Sequence, residues 1–450
     1  MKQTGTCRLT GGPLTEILDL GDIYVSDFVP PGQEKNVDRA PLRLGMGPTG
    51  LIQLYDSYSP EKMYRKYWYR SSLNESMRKS LYDLVTDCVE FPGLKLQRGD
   101  VVVDIASNDG IMLTHPAYQD CLRIGIDPSD VAREGAYYCK PPQRHAHSLL
   151  VNDYFSESAY RSIAGTAQAK IITIVAMFYD IDKPVEFLRE VKACLADDGL
   201  LCIQLSYTPL MYEQLAFDNI CHEHCCFYTL DTLTQVVEKA GLKVVDVEIN
   251  SVNAGSLRVY ITHASNERSL VPGHIKSVEQ YRVKALMGTE SAVKSSYYIS
   301  KRAPDGKGVT RTEAHYDINS SQTWLKWGEK IKEQGEALRT FLTQCKERGE
   351  LVLGYAASTK ANTLLQAWNI TPDLLPAIAD RSQPKWGTVC SGTGIPVISE
   401  DEMRERKPEY LLSLAYTFTS TFLDREKNLV NSGTKFVVPI PTLQILGNNS

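Results

Sequence analysis

The stretch GDVVVDIASNDGIMLTHPAY, residues 99 to 118, limits what this chain can fold into more than any other. It reads as a buried strand from Val101 to Ile105, a turn of small and polar residues, and the start of a helix. Strand, tight turn and helix form the place where an open α/β sheet receives a nucleotide-like ligand. A second strand, CLRIGIDPS, ends in Asp127 about twenty residues further on, where a carboxylate is placed to accept from both hydroxyls of a ribose. Of the usual glycine set only Gly110 is present in the turn, so GxGxxG is not matched and a pyrophosphate dinucleotide is disfavoured. One nucleoside without a phosphate cradle suggests S-adenosylmethionine, with Asp104, Ala106, Ser107, Asn108, Gly110 and Asp127 as the residues that would hold it. The alternative is that Asp104 and Asp127 are ordinary strand-end carboxylates.

The rest of the region repeats the alternation. IITIVAMFYDI reads as a buried strand. PVEFLREVKACLADDGLL places Val185, Leu188, Val191 and Leu195 on one helical face and is expected to stop at Gly199. LLCIQLSY follows as a strand, and KVVDVEINSVNAGSLRVYITH reads as two strands joined by a turn. A helix ending in DDG before a strand, with a closing antiparallel pair, is the layout of a class I methyltransferase. The expected fold is therefore α/β: a doubly wound methyltransferase sheet, a second Rossmann-like α/β domain, and a small N-terminal module.

At 450 residues the chain is long enough for several cores. Residues 1–75, rich in Gly, Pro and Tyr, read as short strands and turns that do not make a self-sufficient domain. Residues 76–268 hold the first α/β unit. Residues 269–349 read as a polar, mostly helical link with a loop-like break near KRAPDGKGVTRT. From 350 to 450 strands and helices alternate again, beginning with ELVLGYAASTKANTLLQAW. There the turn offers backbone N–H groups at a helix N-terminus, and Lys360 adds a positive charge, which together suit an anion. A nicotinamide cofactor is conceivable from this fold, but the glycine fingerprint is missing.

A net charge of −5 argues against a general nucleic-acid binder. No apolar run is long enough to span a membrane, and the first residues lack the apolar core of a signal peptide. A cytoplasmic protein, monomeric or weakly oligomeric, is expected. Eleven cysteines are scattered without any CxxC. The tight group Cys221, Cys225 and Cys226, with His222 and His224, has the right types for zinc but poor spacing. Buried reduced thiols are the better reading.

Taken together, LDLG (18–21), YWYRSS (67–72), ASNDG (106–110), IDPS (126–129), FDNICHEH (217–224), GSLRVY (255–260) and GYAASTKANTLL (354–365) resemble the deoxysugar C-methyltransferases that act on nucleotide-linked 4-keto sugars. The resemblance runs nearly end to end, in the order zinc-binding module, methyltransferase domain, Rossmann-like domain. It implies methylation of a carbon beside a ketone, which needs a base to form an enolate. Histidine suits this task because its ordinary pKa is about 6.5. The family pattern gives that role to His224, with Glu223 orienting the sugar or the base, His222 in support, and Tyr69 as a further active-site tyrosine. The diphosphate of the sugar nucleotide would lie against Ser358, Thr359, Lys360 and Asn362.

The chain also departs from the pattern. Cys221 stands where a tyrosine usually precedes HEH, Asp180 replaces a histidine after the fourth strand, and Asn253-Ala254-Gly255 replaces a histidine-glycine pair. These changes touch the acceptor side, so methyl transfer to oxygen, nitrogen or a non-sugar carbon, or loss of catalysis, are the competing expectations. In the N-terminal module Cys7 is kept, but Thr10, Met46 and Thr49 stand where three more thiolates belong. One thiolate cannot hold a structural zinc, so no zinc is expected.

Overall fold

The computed structural model describes residues 2–3, 5–64, 69–134, 148–250, 252, 255–267, 297–302, 309–314 and 317–447. Its centre is a seven-stranded sheet built from β1 (Val101–Ile105), β2 (Leu122–Ile126), β3 (Ser148–Val151), β4 (Ala169–Val175), β5 (Leu195–Ser206), β6 (Leu242–Asn250) and β7 (Ser256–His263). The spatial order is β6-β7-β5-β4-β1-β2-β3, parallel except for β7, which runs antiparallel to both its neighbours. The order reverses between β1 and β4, and the carboxyl end of β1 is therefore the place where such a sheet takes a ligand.

Both faces are covered because β1 is apolar on both. Val101, Val103 and Ile105 pack with α2 (Pro184–Cys194) and α3 (Leu230–Lys239). Val102 packs with α1 (Glu75–Val89), whose Leu81, Leu84, Val85 and Cys88 recur at helical spacing. Asn74 caps α1, and Thr229 with Thr232 forms a capping box on α3.

Three expectations are corrected here. The helix α2 ends at Cys194, not Gly199, and Leu195 already belongs to β5, where it pairs with Ala169. Gly199 serves a steric need instead: a Cβ there would come within 2.8 Å of Leu195 Cδ1 and 3.0 Å of the Ala169 carbonyl at an irregular point of the β4–β5 ladder. The turn after β1 leads into two short 3₁₀ turns, Ile111–Thr114 and Pro116–Tyr118, and not into an α-helix. Pro116 disfavours α geometry at His115, which explains the break. Strands at Tyr297–Arg302 and Val309–Ala314 form a hairpin inside the stretch read as helical with a loop. Aromatic and β-branched residues favour that pairing.

The C-terminal sheet contains β8 (Val352–Tyr355), β9 (Ile378–Asp380), β10 (Val397–Ser399), β11 (Tyr410–Ser413), β12 (Lys435–Val438) and β13 (Gln444–Leu446), in the order β10-β9-β8-β11-β12-β13. All pairs are parallel except the last. The long helix α4 (Ser321–Glu347) puts Trp324, Trp327, Ile331, Leu338 and Leu342 into a core shared with the N-terminal strands and with α5 (Thr359–Ala367). Each such side chain is worth about 1.5–3 kcal/mol of burial, so α4 is a structural spine as well as a connection.

The N-terminal strands Thr15–Tyr24, Arg39–Met46 and Ile52–Leu54 form an antiparallel sheet whose fourth strand, Cys226–Phe227, comes from the methyltransferase region. Cys7 packs with Leu9 and Leu51 in the core of the seven-stranded sheet, Thr10 is exposed and Met46 is buried. The neighbouring Arg8 has a buried side chain that donates to the Leu54 carbonyl (2.6 Å), Ser57 Oγ (2.8 Å) and Asp182 Oδ1 (3.0 Å). Packing and this ion pair hold the module against the larger sheet.

Candidate active site

The turn after β1 is built from left-handed residues: Ala106 (φ 60°), Asn108 (φ 51°) and Gly110 (φ 80°). Only Gly110 adopts this without cost, and hydrogen bonds hold the other two. The Ala106 N–H donates to the Ile126 carbonyl (2.8 Å), and the Asn108 N–H donates to Asp127 Oδ2 (2.8 Å). Asp127 Oδ1 accepts from the backbone and the hydroxyl of Ser129. A carboxylate has about four acceptor positions. Three of those on Asp127 are taken, which leaves one for a ligand hydroxyl and not the two expected.

Asn108 and the following Asp109 hold a different partner. Asn108 Nδ2 donates to the Tyr69 carbonyl (3.0 Å), and its Oδ1 accepts from the Ser71 N–H (3.0 Å). Asp109 Oδ2 accepts from the Ser72 N–H (3.0 Å). The segment Tyr69–Ser72 is thereby fastened over the turn. The Tyr69 ring is partly exposed (43%), and burial with the nearby Asp109 charge raises its hydroxyl to about 12. Tyr67 and Trp68 lie outside the described residues, as do Asn253 and Ala254.

Two buried atoms of the turn have no hydrogen-bond partner among the described residues: Ser107 Oγ and Asp109 Oδ1. Asp104 is buried on β1, accepts from Thr173 Oγ1 (2.8 Å), and is pushed up to about 8 by burial. Unpaired buried polar atoms cost free energy unless something bonds to them. Their position at the sheet's switch point, together with the open position on Asp127, fits a nucleoside-bearing ligand.

The second cluster lies on the loop Phe217–Cys225, where three parts of the chain meet. Cys226–Phe227 pairs with Ile52–Gln53, Leu54 N–H donates to the Cys225 carbonyl (2.9 Å), and His222 Nε2 lies 3.1 Å from the Ala40 carbonyl. His222 is buried and its pKa is lowered by burial, so it fastens the loop to the N-terminal sheet. From the other side the Phe217 ring packs 5.0 Å from Trp368, and Tyr416 donates to Asp218 Oδ1 (2.8 Å).

His224 is set up differently. Its Nδ1 lies 2.6 Å from the Asn219 carbonyl, which only accepts, so Nδ1 carries the proton and Nε2 has a free lone pair. Burial first, and the charge of Lys360 second, lower its pKa to about 3, which keeps the ring neutral at working pH. The Tyr179 ring packs 4.3 Å from it. Glu223 is raised to about 7 by burial, and Asp180 is held well above the usual carboxylate range by burial and by the Glu223 charge. Ligating atoms of Cys221, Glu223 and His224 all lie within 4.8 Å of one another. The thiol group considered for zinc is not what assembles: His222 turns to Ala40, while Cys225 and Cys226 sit near the charge of Arg8.

Sequence reasoning missed Tyr64, the last residue of a short helix (Pro60–Tyr64). Its hydroxyl donates to the Glu223 carbonyl (3.2 Å) and hydrogen-bonds the Asp180 carboxyl. It brings a phenol into the neighbourhood where Cys221 has replaced one. The run KMYRKYWYRSS offers three tyrosines and no signal to choose among them.

Of the four C-terminal candidates, two are already committed to the fold. Ser358 Oγ caps α5 by accepting from the Ala361 N–H (3.1 Å). Asn362 is fully buried, and its Nδ2 donates to Ser391 Oγ (2.8 Å) and Ser26 Oγ (3.3 Å). The Thr359 carbonyl accepts from Ser26 and Thr363. Lys360 is the one whose charge reaches the loop Phe217–Cys225, acting on both Asp218 and His224.

Comparison with known proteins bears on the kind of domain and the kind of activity. Residues 73–247 match a family described as a methyltransferase domain, and residues 291–441 match the C-methyltransferase C-terminal domain. The C-methyltransferase NovU of Streptomyces niveus is 25% identical over 400 residues, covering 89% of this chain and 86% of its own. Taken together, these matches support a place among the S-adenosylmethionine-dependent C-methyltransferases. Among solved structures, a SAM-dependent methyltransferase from Aquifex aeolicus aligns at 17% identity over 46% of this chain and 98% of its own, with a TM-score of 0.32. Coclaurine N-methyltransferase bound to N-methylheliamine and SAH aligns at 14% identity over 43% and 56%, with a TM-score of 0.31. The strand order β6-β7-β5-β4-β1-β2-β3 itself carries the class I fold. Among the described residues no helix of this methyltransferase is long and apolar enough to cross a membrane.

Proposed function

We propose that this methyltransferase alkylates a carbon beside a ketone, on a nucleotide-linked 4-keto deoxysugar, with His224 as the base. The observation that carries the reading is the His224–Asn219 hydrogen bond, which fixes one tautomer and leaves Nε2 unprotonated in a buried loop beside Glu223.

When bound, S-adenosylmethionine supplies an electrophilic methyl group. Ser107, Asp109, Asp104 and the open position on Asp127 would hold it at the end of β1. The acceptor carbon becomes nucleophilic only after losing a proton, and His224 Nε2 takes that proton as the C–H electron pair moves toward the ketone. Glu223 and Asp180, both raised toward their protonated forms, are suited to donate hydrogen bonds to sugar oxygens. Tyr64 steadies both through the Glu223 backbone and the Asp180 carboxyl. The backbone N–H groups of Thr359 and Lys360 at the start of α5 suit the diphosphate.

The test is deuterium wash-in. Thymidine- and uridine-diphosphate 4-keto-6-deoxy sugars are incubated in heavy water with enzyme and S-adenosylhomocysteine, and the carbons flanking the ketone are followed by NMR. Exchange that depends on His224 supports the reading. Methyl transfer when S-adenosylmethionine replaces S-adenosylhomocysteine, with no exchange in the first assay, would instead assign the acceptor to oxygen or nitrogen.

A further inference from the structure

Lys360 stands second in α5, which packs on the turn Phe217–Asn219 at the head of the catalytic loop. It belongs to the C-terminal unit, yet its charge bears on Asp218 at one end of that loop and His224 at the other. Asp218 is buried, and its Oδ1 accepts from Tyr416, another residue of the C-terminal unit. The Lys360 ammonium, half-buried, donates no hydrogen bond and forms no ion pair among the described residues. Burial raises the Asp218 carboxyl above its ordinary range and the Lys360 charge opposes that rise, so the two lie within electrostatic reach without an ion pair among the described residues.

A positive charge beside a general base is a puzzle, because it opposes proton uptake. The arrangement makes sense if a negative charge appears at the same place during the reaction. Abstraction of a proton next to a ketone creates such a charge on the carbonyl oxygen, and a preorganised cation in a buried site is the device that stabilises it.

We propose that Lys360 is a catalytic residue that stabilises the enolate oxygen, with Asp218 and Tyr416 as the positioning residues that hold its ammonium beside His224. The step is balanced without further reactants. The carbon-bound proton goes to His224 Nε2, the C–H pair becomes the enolate, and the negative charge on oxygen is met by an ammonium that keeps its protons. This inference rests on the proposed enolate reaction and moves Lys360 from the diphosphate to the reacting end of the substrate.

The experiment compares wild type, Lys360→Met, Lys360→Arg and Asp218→Asn. The first readout is the rate of deuterium wash-in at saturating thymidine- or uridine-diphosphate 4-keto-6-deoxy sugar, with S-adenosylhomocysteine bound. The second is the affinity for TDP and UDP by calorimetry. Loss of one oxyanion donor costs about 10²–10³ in rate, and that loss is expected for Lys360→Met, with partial recovery in Lys360→Arg. Asp218→Asn should lose about tenfold, and nucleotide affinity should change less than about threefold throughout. If Lys360→Met weakens TDP and UDP binding more than about tenfold while exchange at saturation stays at the wild-type rate, the lysine is a diphosphate anchor and the proposal is overturned. Unchanged values in both readouts, with an unchanged melting temperature, overturn it as well. Absence of exchange in wild type is a separate result: it removes the enolate reading itself, and this inference with it.

Discussion

The two α/β units share one backbone device and use it for different ends. After β1 the left-handed Ala106 donates its N–H to the last carbonyl of β2 (2.8 Å). After β8 the left-handed Ala356 donates to the Ala379 carbonyl of β9 (2.8 Å). In both, the aspartate that ends or follows the neighbouring strand reaches back to a turn N–H: Asp127 Oδ2 to Asn108 (2.8 Å), Asp380 Oδ2 to Ala357 (2.8 Å). The other oxygen of each accepts from the residue two places on, Ser129 or Ser382. The surrounding side chains separate them. Beside Asp380, Lys385 Nζ lies 3.6 Å away and donates to the Ala357 carbonyl (2.8 Å), while Trp386 Nε1 donates to the Asp380 carbonyl (2.7 Å). Among the described residues no cation pairs with Asp127, and the turn beside it carries two unpaired buried atoms, Ser107 Oγ and Asp109 Oδ1. The first unit is open where a nucleoside would bind, and in the second the protein's own side chains fill the equivalent place. That argues against a nicotinamide cofactor in the C-terminal unit, independently of its missing glycines.

The largest effect should come from the loop between the units. His224→Asn is expected to lower methyl transfer by about 10²–10⁴ with S-adenosylmethionine affinity unchanged, because the proposed cofactor site belongs to the first unit and the proposed base to the junction. Steady-state rates and calorimetry on one preparation check this. A variant that loses cofactor affinity and rate together would merge what the comparison keeps apart.

The next contrast pits the two aspartates against each other. Asp127→Ala should weaken S-adenosylmethionine binding at least about tenfold, the worth of a hydrogen bond to a charged acceptor. Asp380→Ala should leave that affinity alone and cost about 1–3 kcal/mol of stability by stranding two backbone N–H groups and Lys385. Calorimetric titration and denaturant unfolding read the two quantities. Equal loss of cofactor affinity in both variants would break the contrast.

How much of this is legible in the sequence depends on how far apart the partners lie along the chain. VVVDI and the downstream Asp127 are local signals, and the strand-turn-strand unit they mark is where the structure has it. The helix expected after Gly110 fails because His115-Pro116 interrupts it, a local signal that the strand–turn–helix template overrides. Asn108 reads as a cofactor ligand, but its partners Tyr69 and Ser71 lie some forty positions upstream, beyond what spacing reveals. The same holds for Arg8 with Asp182, Tyr64 with Glu223, and Lys360 with the loop that carries His224. Contacts between units are set by tertiary packing, and no periodicity encodes them. The HEH segment is legible as chemistry, but its division of labour is not. The acceptor carbonyls of Ala40 and Asn219, which separate a fastening His222 from a poised His224, carry no mark in the sequence.

The smallest expected effect tests a third difference between the units. Asp104 on β1 occupies the place that Gly354 has on β8, each standing two positions before the left-handed alanine of its turn. Burial holds the folded pKa of Asp104 near about 8, against about 3.9 in an unfolded chain. The folded state therefore binds more protons between those values, so the stability this carboxyl contributes is present below about pH 4 and is lost as pH rises through about 8. His224 acts in the opposite sense: its lowered pKa removes stability as pH falls from about 6.5 toward about 3, outside an alkaline window. Asp104→Asn replaces the ionisable group with an amide that still accepts from Thr173. Between about pH 7 and 9 the melting temperature of wild type should fall more steeply than that of the variant, by one to a few degrees for about 1–2 kcal/mol in a chain of this size. Parallel profiles would mean that Asp104 is already ionised at neutral pH in spite of its burial, and the assignment of a raised pKa would fall.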